Sequence, residues 1–329
     1  MDAPDSPLPP LYAAWMEELL GEPVRGEPRS TCFSCAMVAT GPEHEDPGPH
    51  FLPDLKCCMF SPKLPNFLVG RALCEDGPGR ASVERRVADP AQRGPLGLST
   101  PMALTAAHEA ARAAGRFGLD TALRCPHFIV EGGGLCGIWS NRESICATWY
   151  CRHERGAVSR QRWSALQRLL AAVEDALSRE IARQLGAGPR DWGDWRGREE
   201  AFYRAAAARA AALSWRDVSR IGGFELRFRA RHLKETHAAL SATGLPDTLV
   251  LGPARVAPLP DGRQRVFAYS EYDPEDLAAE LVARLAALSG RPVAELLDPE
   301  PAGTDAPPLD EGTLQRLFDL RVLDRPPDA

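Results

Sequence analysis

Several features are missing from this sequence of 329 residues, and each absence excludes a class of protein. No stretch approaches about 18 consecutive apolar residues, so neither a transmembrane helix nor a membrane partner is expected. The first residues, MDAPDSPLPP, lack a cationic start followed by an apolar stretch, so no secretory signal peptide is expected. The nucleophile elbow, the dinucleotide-binding fingerprint and the HExxH motif are also missing, so none of the enzyme classes that carry them is indicated.

The cysteines are confined to one part of the chain. All nine lie between Cys32 and Cys151, and the 178 residues that follow contain none. Without a secretory signal the chain is expected in the reducing cytosol, where cysteines seldom form structural disulfides. The chain is also long enough to bury an apolar core without them. The clustered cysteines therefore indicate metal ligands or reactive thiols in a cytoplasmic protein.

Charge is unevenly distributed as well. Residues 1–151 carry a net charge of −5, residues 152–238 carry +7 and residues 239–329 carry −8, within an overall charge of −6. The basic region 152–238 predicts contact with an acidic protein partner. Nucleic acid is disfavoured as a partner, because the chain as a whole is acidic and has no aromatic-interleaved RNA-binding motif.

Hydrophobic periodicity predicts a helix-rich α+β protein, in which an irregular cysteine-rich module joins a mostly helical C-terminal part. Apolar residues at steps of three and four predict a long helix over 163–185, and apolar runs on both sides of a glycine triplet predict a hairpin around 132–134. Asp273 and Pro274 read as the cap and first residue of a further helix. The remaining expected elements are helices over 11–20, 100–115, 198–213, 231–240, 273–290 and 314–323, and a second hairpin around 260–262.

The sequence also predicts four segments. Residues 1–30 are an N-terminal docking segment, and residues 31–155 are a cysteine-cluster metal-binding module. Residues 156–297 are a mostly helical domain with a small hairpin. Residues 298–329 are a linker rich in proline and aspartate, followed by a short terminal helix.

Eight of the nine cysteines have spacings that suit metal coordination. Thiolates are soft donors that suit Zn²⁺ and iron–sulfur clusters, and the two-residue gap of a CxxC motif lets both sulfurs reach one metal. The predicted metal ligands are Cys32, Cys35, Cys57, Cys58, Cys125, Cys136, Cys146 and Cys151. Cys74 is expected to be a core residue, because free cysteine behaves as a small apolar side chain.

These motifs resemble those of the YkgJ-like cysteine-cluster family. The CxxC and CC motifs of that family correspond here to Cys32-Phe33-Ser34-Cys35 and Cys57-Cys58, with 21 residues between them. Its second half corresponds to Cys125-Pro126-His127-Phe128, Cys136-Gly137-Ile138-Trp139-Ser140-Asn141-Arg142 and Cys146-Ala147-Thr148-Trp149-Tyr150-Cys151. In place of the family's proline after the arginine, this chain has Glu143. In place of Phe-Pro before the last cysteine, it has Trp149-Tyr150.

The resemblance implies a zinc- or iron-chelating module. The main hypothesis is therefore a cytoplasmic metalloprotein with Zn²⁺ or an iron–sulfur cluster as its cofactor. Flagellin lysine N-methylases share this kind of cluster, which implies an iron–sulfur-dependent protein lysine N-methylase-like enzyme as an alternative, although no feature marks an S-adenosylmethionine site. The other alternative is a zinc-stabilised interaction adaptor whose basic helices bind an acidic partner.

Histidine and arginine side chains near the cysteines have two interpretations each. His127 and His153 could act as imidazole ligands, but surface or supporting positions are favoured for both. Arg142 is expected to hold the fold through hydrogen bonds to carbonyls or a carboxylate, with neutralisation of thiolates as the alternative. His44 and His50 are expected to lie in solvent.

Two tryptophans in the basic region also leave two interpretations open. Trp192 and Trp195 lie among charged residues and glycines, so they indicate either a partner-binding spot or a loop packed on the helices. The packed loop is favoured. For the triplet 132–134, a hairpin turn is favoured over a phosphate-binding loop, because no Lys-Ser or Lys-Thr follows.

Overall fold

The computed structural model describes residues 6–33, 35–38, 51–242, 244–297 and 309–327. Of these residues, 48% are helical and 10% are in strands, so the expected helix-rich α+β class is confirmed. The eleven described helices are α1 Pro10–Leu20, α2 Asn66–Cys74, α3 Arg80–Ala88, α4 Met102–Ala113, α5 Ser144–Thr148, α6 Gly156–Gln184, α7 Glu199–Ala211, α8 Trp215–Ala238, α9 Ala279–Ala287, α10 Val293–Leu297 and α11 Glu311–Asp319.

The described strands are short and form four small antiparallel sheets. The first sheet has the order β1-β3-β2, the second pairs β4 with β5, the third has the order β7-β8-β9 and the fourth pairs β6 with β10. Their bounds are β1 Leu64–Pro65, β2 Arg93–Gly94, β3 Gly97–Leu98, β4 Phe128–Ile129, β5 Leu135–Cys136, β6 Val250–Leu251, β7 Arg255–Pro258, β8 Arg263–Phe267, β9 Glu275–Ala278 and β10 Leu323–Asp324.

The chain divides into two compact units, each discontinuous in sequence. The first unit is formed by Met1–Gly26, Thr31–Trp149 and Trp163–Lys234, and the second by Glu27–Ser30, Tyr150–Arg162 and Glu235–Ala329. The four continuous segments predicted from the sequence stay a prediction; residues 298–308 of the expected linker lie outside the described residues. Among the described helices, none combines the length and apolar character that crossing a bilayer requires.

The core of the first unit gathers helices from distant parts of the sequence. The apolar periodicity of α6 is confirmed, since Trp163, Leu166, Leu170 and other residues of this stripe are buried. Helix α1 is anchored by Trp15, whose indole N–H donates to the Leu213 carbonyl at 2.8 Å. Helices α2 and α7 pack closely, and their apolar residues share a cluster with Ile138 of the cysteine-rich region. The cysteine-rich loops therefore rest on a helical layer.

The crossing of α2 and α7 depends on a glycine. A Cβ added at Gly70 would lie 1.8 Å from the Tyr203 carbonyl oxygen and 2.9 Å from Ala207 Cβ. We expect Gly70→Ala to lower the free energy of unfolding by about 3 kcal/mol, because the two helix backbones must move apart. Urea unfolding of the full chain measures this change.

Gly77→Ala is the matched control, since nothing lies within 4 Å of a Cβ at that position. Its free energy of unfolding should stay within about 0.5 kcal/mol of the parent chain. Equal effects of the two substitutions would contradict the close crossing at Gly70.

The second unit contains the three-stranded sheet and the C-terminal helices around one apolar cluster. Val266, Leu281 and Leu317 are buried members of this cluster, together with Leu323 of β10. The expected hairpin around 260–262 is confirmed by the pairing of β7 with β8, and the expected terminal helix by α11.

Several helix starts differ from the sequence prediction, and α6 and α11 begin seven and three residues earlier than expected. The helix expected from Asp273 and Pro274 was wrong at its beginning: Glu275–Ala278 is strand β9, which pairs with β8, and α9 starts only at Ala279. Arg265 holds this pairing with two 2.7 Å contacts to the Asp276 carboxylate. Helix α4 starts one residue later than expected, because Pro101 occupies the cap position.

The helix expected over 231–240 is longer than predicted. The helical piece expected over 231–240 belongs to α8, which runs from Trp215 to Ala238. Its helical geometry is interrupted at Gly223, where φ is 62° and ψ is −137°. This left-handed φ favours glycine, and the preceding Gly222 has no room for a Cβ beside Leu226. Two adjacent glycines thus allow the break.

Candidate metal centre

A short hairpin presents two of the predicted ligands. Strands β4 and β5 pair antiparallel with Phe128 opposite Cys136, and Cys125 lies just before β4. The glycines at 132, 133 and 134 all have positive φ, between 74° and 93°, which confirms the hairpin turn. The pairing brings the chain around Cys125 and Cys136 to one place.

Hydrogen bonds tie the other cysteine motifs to this hairpin. The backbone N–H of Cys125 donates to the Cys58 carbonyl at 2.8 Å. The Lys56 ammonium donates to the carbonyls of Cys32 and Gly134, at 2.7 Å each. Lys56 therefore joins the CxxC segment to the glycine turn from a buried position.

Cys146 is held by the short helix α5. Glu143 caps this helix, because its carboxylate accepts from the backbone N–H groups of Ile145 at 2.6 Å and Cys146 at 2.9 Å. Arg142 donates from Nη1 to the Cys146 carbonyl at 3.0 Å and from Nη2 to the Pro7 carbonyl at 3.1 Å. The structural role expected for Arg142 is confirmed, and Glu143 has a clear capping function.

The thiols in this region are protonated at neutral pH. Burial raises the pKa of Cys32 and of Cys125 to about 12, and the pKa of Cys136 to about 11. Burial also raises the pKa of Cys146 well above its usual value. For Cys57, a hydrogen bond with the Cys58 thiol is the largest cause of a raised pKa. Such thiols ionise when a metal replaces their protons.

Seven of the eight predicted ligands belong to the first unit. Their thiols interact electrostatically with one another. Besides burial and hydrogen bonding, each of the seven has its pKa raised by the charge of at least one other thiol of the set. These seven, here called the thiol group, are Cys32, Cys35, Cys57, Cys58, Cys125, Cys136 and Cys146.

The thiol group is gathered but is not a finished coordination sphere. Among the described residues, no three His, Cys, Asp or Glu side chains converge in a way that could hold a metal ion. All seven thiols are free and half-buried, so side-chain rotation is available to them. The assignment of individual cysteines as ligands stays a prediction.

Arg142 faces the thiol group with a positive charge. Its charge favours the thiolate forms of Cys32, Cys57 and Cys136, opposing the rise of their pKa values by burial. The guanidinium stacks on Trp139, 3.5 Å from the ring centroid. Arg142 Nε and Trp139 Nε1 are buried and have no hydrogen-bond partner among the described residues. Two buried N–H donors therefore lack an acceptor beside the thiols.

Two more buried cations act on thiols of the group. The charge of Lys56 favours the thiolates of Cys32 and Cys35, and that of Arg86 favours the thiolate of Cys125. Arg86 and Lys56 are 3% and 6% exposed. Neither these two cations nor Arg142 forms an ion pair with any carboxylate of the described residues. Their positive charge is balanced by no described acid.

His127 is buried beside the group, which makes the expected surface position wrong and leaves a supporting one. Its Nδ1 lies 2.6 Å from Ser82 Oγ, and Arg86 Nη1 lies 3.0 Å from its Nε2. Because Ser82 Oγ already donates to the Gly79 carbonyl, it accepts from Nδ1, and Nε2 accepts from Arg86. Burial lowers the pKa of His127 to about 3, so the ring is neutral and both nitrogens are engaged.

Cys151 and His153 belong to the second unit. The Sγ of Cys151 lies 3.0 Å from Ser30 Oγ, which also accepts from the Cys151 backbone N–H at 3.1 Å. His153 is buried there, so its expected surface position was wrong; its Nδ1 lies 3.4 Å from the Tyr269 hydroxyl. Whether Cys151 is a metal ligand stays a prediction.

Three further expectations concern residues away from the thiol group. Cys74, expected in the core, is exposed at the end of α2, with Arg204 Nη1 3.5 Å from its sulfur, so that expectation was wrong. Trp192 and Trp195 pack against Phe202, as the packed-loop interpretation expects. His44 and His50 lie outside the described residues.

A second carboxyl, the half-buried Glu174, lies beside the buried Glu143 of the helix cap, and both accept from the Ser144 hydroxyl. Glu174 accepts from the Tyr12 hydroxyl at 2.5 Å, from the Ser144 backbone N–H at 2.6 Å and from the Ser144 hydroxyl at 2.9 Å. Burial and the charge of Glu143 raise the pKa of Glu174 to about 8. Two carboxylates this close do not both ionise at neutral pH.

This carboxyl predicts how stability depends on pH. Glu174 keeps its proton in the folded chain up to about pH 8 but loses it above about pH 4.5 when unfolded, so the free energy of unfolding falls as pH rises between these values. We expect Glu174→Gln to remove a slope of about 1 kcal/mol per pH unit, because the amide oxygen can still accept from the Tyr12 hydroxyl and the Ser144 N–H while the side chain no longer titrates. Urea unfolding at pH 5.5 and pH 8 measures the slope.

Glu180→Gln on the same helix is the control, because the half-buried Glu180 carboxylate accepts hydrogen bonds from Arg183 and Gln184, which lower its pKa to about 2. That variant should keep the pH slope of the parent chain. If the Glu174→Gln chain retains the same slope, Glu174 is ionised in the folded protein.

Two of the three cations, Lys56 and Arg86, and the Glu174 carboxyl were missed by sequence reasoning, whereas Arg142 had been considered as a neutralising charge. Lys56 directly precedes Cys57, so its position beside the CC motif was a usable signal. Arg86 and Glu174 lie in helices remote from any cysteine motif, and no local pattern marks them as neighbours of the thiols.

Comparison of the chain with family models, curated proteins and solved structures found no match in any of the three. The functional argument therefore rests on the residues themselves.

Proposed function

We propose that the first unit is a metalloprotein centre, in which thiolates of the thiol group bind Zn²⁺ or an iron–sulfur cluster. The observation that carries this proposal is the set of three buried cations, Lys56, Arg86 and Arg142, which face the thiols without a described carboxylate to balance them. A buried charge without a partner is costly. A metal site made of several thiolates carries net negative charge and would compensate the cations.

The neutral thiols alone do not explain this arrangement. If all seven stayed protonated, the three cations would have neutral carbonyl, amide and imidazole acceptors but no negative charge near them among the described residues, and a buried charge in that state is costly. Four thiolates around one Zn²⁺ give a net charge of −2, and four thiolates around an iron–sulfur cluster also give an anionic site. Either group turns the three cations into stabilising neighbours.

The two orphaned N–H donors support the same proposal. Thiolate sulfur bound to metal commonly accepts N–H hydrogen bonds, which orient the ligands and adjust the electronic properties of the site. Trp139 Nε1 and Arg142 Nε are buried beside the thiols and need acceptors. The residues present therefore fit a thiolate-bound metal group.

The site must close when the metal binds. Since no described trio is positioned for coordination, binding requires rotation of thiols and loss of their protons. Cys57 and Cys58 are adjacent, and their thiols are hydrogen-bonded to each other, so we assign no more than one of them to a single tetrahedral ion. On the same motifs we propose membership of the YkgJ-like cysteine-cluster family. The lysine N-methylase alternative gains no support from the described residues.

Anaerobic purification of the full chain tests the proposal and separates the two metals. We expect about one equivalent or more of zinc plus iron per chain by elemental analysis. Broad visible absorption that bleaches with dithionite identifies an iron–sulfur cluster, whereas a colourless protein with stoichiometric zinc identifies a closed zinc site. Less than about half an equivalent of both metals together, in repeated preparations, would contradict metal binding.

A further inference from the structure

Two phenylalanines of α8 are exposed side by side. Phe224 and Phe228 are 76% and 64% exposed, and their rings stack with centroids 6.4 Å apart at an interplanar angle of 22°. Leu226, Ala230 and Leu233 of the same helix are buried, so the helix has already placed its own apolar face inward. An adjacent pair of exposed aromatic rings on the outer face is characteristic of a binding surface.

A cavity adjoins this pair within the first unit. It has a volume of about 220 Å³ and is lined by Ala165 and Arg168 of α6 and by Phe228, Arg229 and His232 of α8. Phe228 is its exposed aromatic lining residue, and Ala165 is buried at its base. An apolar side chain of a partner would be removed from water in this cavity and would contact apolar atoms.

Two arginines are linked to the pair, since Arg168 lines the cavity with Phe228 and Arg227 directly precedes Phe228 in the helix. Arg168 and Arg227 are exposed and make no ion pair with any residue that the structure describes. Arg229 lies 2.9 Å from Glu225 one turn earlier, so it is already neutralised. The surface formed by Phe224, Phe228, the cavity, Arg168 and Arg227, here called the Phe–Arg face, thus combines apolar anchors with spare cations.

We propose that the Phe–Arg face docks an acidic amphipathic helix of a partner protein. Apolar side chains of the partner helix cover the two rings and enter the cavity, and its carboxylates pair with Arg168 and Arg227. Aromatic and arginine side chains are the residue types that most often anchor protein interfaces. Two arginines without intramolecular acids add charge complementarity and speed association.

A nucleic acid fits this face less well. The chain carries a net charge of −6, and the Glu225 carboxylate lies between the two phenylalanines along the helix. The net charge and Glu225 oppose every anionic partner alike, so the apolar contacts decide. A phosphate backbone offers no apolar side chain to cover Phe224 and Phe228, whereas an amphipathic helical peptide does and can place an apolar residue opposite Glu225. A lipid surface is also disfavoured, because only two rings project and no row of apolar residues continues the face.

Fluorescence anisotropy with a labelled probe tests the proposal on the metal-loaded full chain. The probe is a synthetic helical peptide with leucine on one face and glutamate on the other, and its counterpart carries lysine in place of every glutamate. We expect the glutamate peptide to bind at least about tenfold more tightly than the lysine peptide, with affinity falling as salt rises. The double substitution Phe224→Ala with Phe228→Ala should weaken binding at least about tenfold.

Met102→Ala is the matched control, since Met102 is 86% exposed on α4 and distant from this face in sequence. It should leave peptide binding unchanged, and the metal content of all variants should equal that of the parent chain.

Arg168→Glu with Arg227→Glu should reverse the preference between the two peptides. Unchanged binding after loss of both phenylalanines would overturn the proposal. Tighter binding of a poly(dT) oligonucleotide or of anionic vesicles, or self-association that the phenylalanine variant abolishes, would overturn it in favour of those partners.

Discussion

Replacing Cys136 with serine should remove most of the metal from the protein and expose the cysteine-rich region to protease. Cys136 lies in β5, and its pKa responds to Cys32, Cys57 and Arg142, so its sulfur is near the middle of the thiol group. Structural zinc sites in small modules supply about 10–16 kcal/mol of apparent binding free energy, which becomes folding free energy when the apo site does not persist. Loss of one ligand therefore destabilises the surrounding loops.

Limited trypsin digestion should show which part of the chain is destabilised by the loss of Cys136. We expect rapid cleavage at basic residues of the cysteine-rich region, among them Lys56 and Arg124, while the helical region after Ser159 survives longer. Cys74→Ser is the control, because that thiol is exposed and lies outside the thiol group. If Cys136→Ser retains the metal and the digestion pattern of the parent chain, Cys136 is not a ligand.

Replacing Arg142 with methionine should weaken Zn²⁺ binding by the metal-free chain at least about tenfold, because the thiolates lose a neighbouring positive charge. The sign follows from the charge: Arg142 favours the ionised forms of Cys32, Cys57 and Cys136, so without it these thiols hold their protons to higher pH. The pH at which zinc binding is half complete should therefore rise. Competition with a chelator at several pH values measures both quantities.

Arg142→Lys separates the charge of this residue from its structural role. Lysine keeps the positive charge but cannot reproduce both carbonyl contacts, to Cys146 and to Pro7. We expect the lysine variant to keep most of the pH midpoint while losing thermal stability. Equal shifts of the midpoint in both variants would show that Arg142 acts only by holding the backbone.

Local sequence patterns were sufficient to predict helix α6 and the β4–β5 hairpin. The stripe from Trp163 through Leu177 is long enough to specify α6, and three glycines between two apolar runs specify the β4–β5 hairpin. Strand β9 could not be predicted in the same way. Leu277, Leu281 and Leu285 share the spacing of a helix, but pairing with β8 draws Glu275–Ala278 into the sheet, a contact between segments that local periodicity does not encode.

The candidate site likewise has residues that local spacing predicts and residues that only long-range packing places there. Spacing alone was enough to predict eight cysteines as candidate ligands, because chelation demands short gaps and a turn, and that assignment stays a prediction. Sequence reasoning considered Arg142 as a neutralising charge, but it could not show that Lys56 and Arg86 are also buried and act on the thiols, since the burial of a cation depends on residues far away in the sequence. The prediction that Cys74 is a core residue was wrong for a related reason. Whether a thiol at the end of a helix is buried depends on the residues packed around it, and Cys74 is exposed beside Arg204.

X-ray absorption spectroscopy of the anaerobically purified chain, at the edge of the metal that elemental analysis identifies, tests the central claim most directly. Thiolate coordination predicts a first shell dominated by sulfur at about 2.3 Å from the metal, with little or no nitrogen and oxygen. The Cys136→Ser chain should lose this signal along with its metal. A first shell dominated by nitrogen or oxygen at about 2.0 Å would contradict the assignment of the thiol group as the metal site.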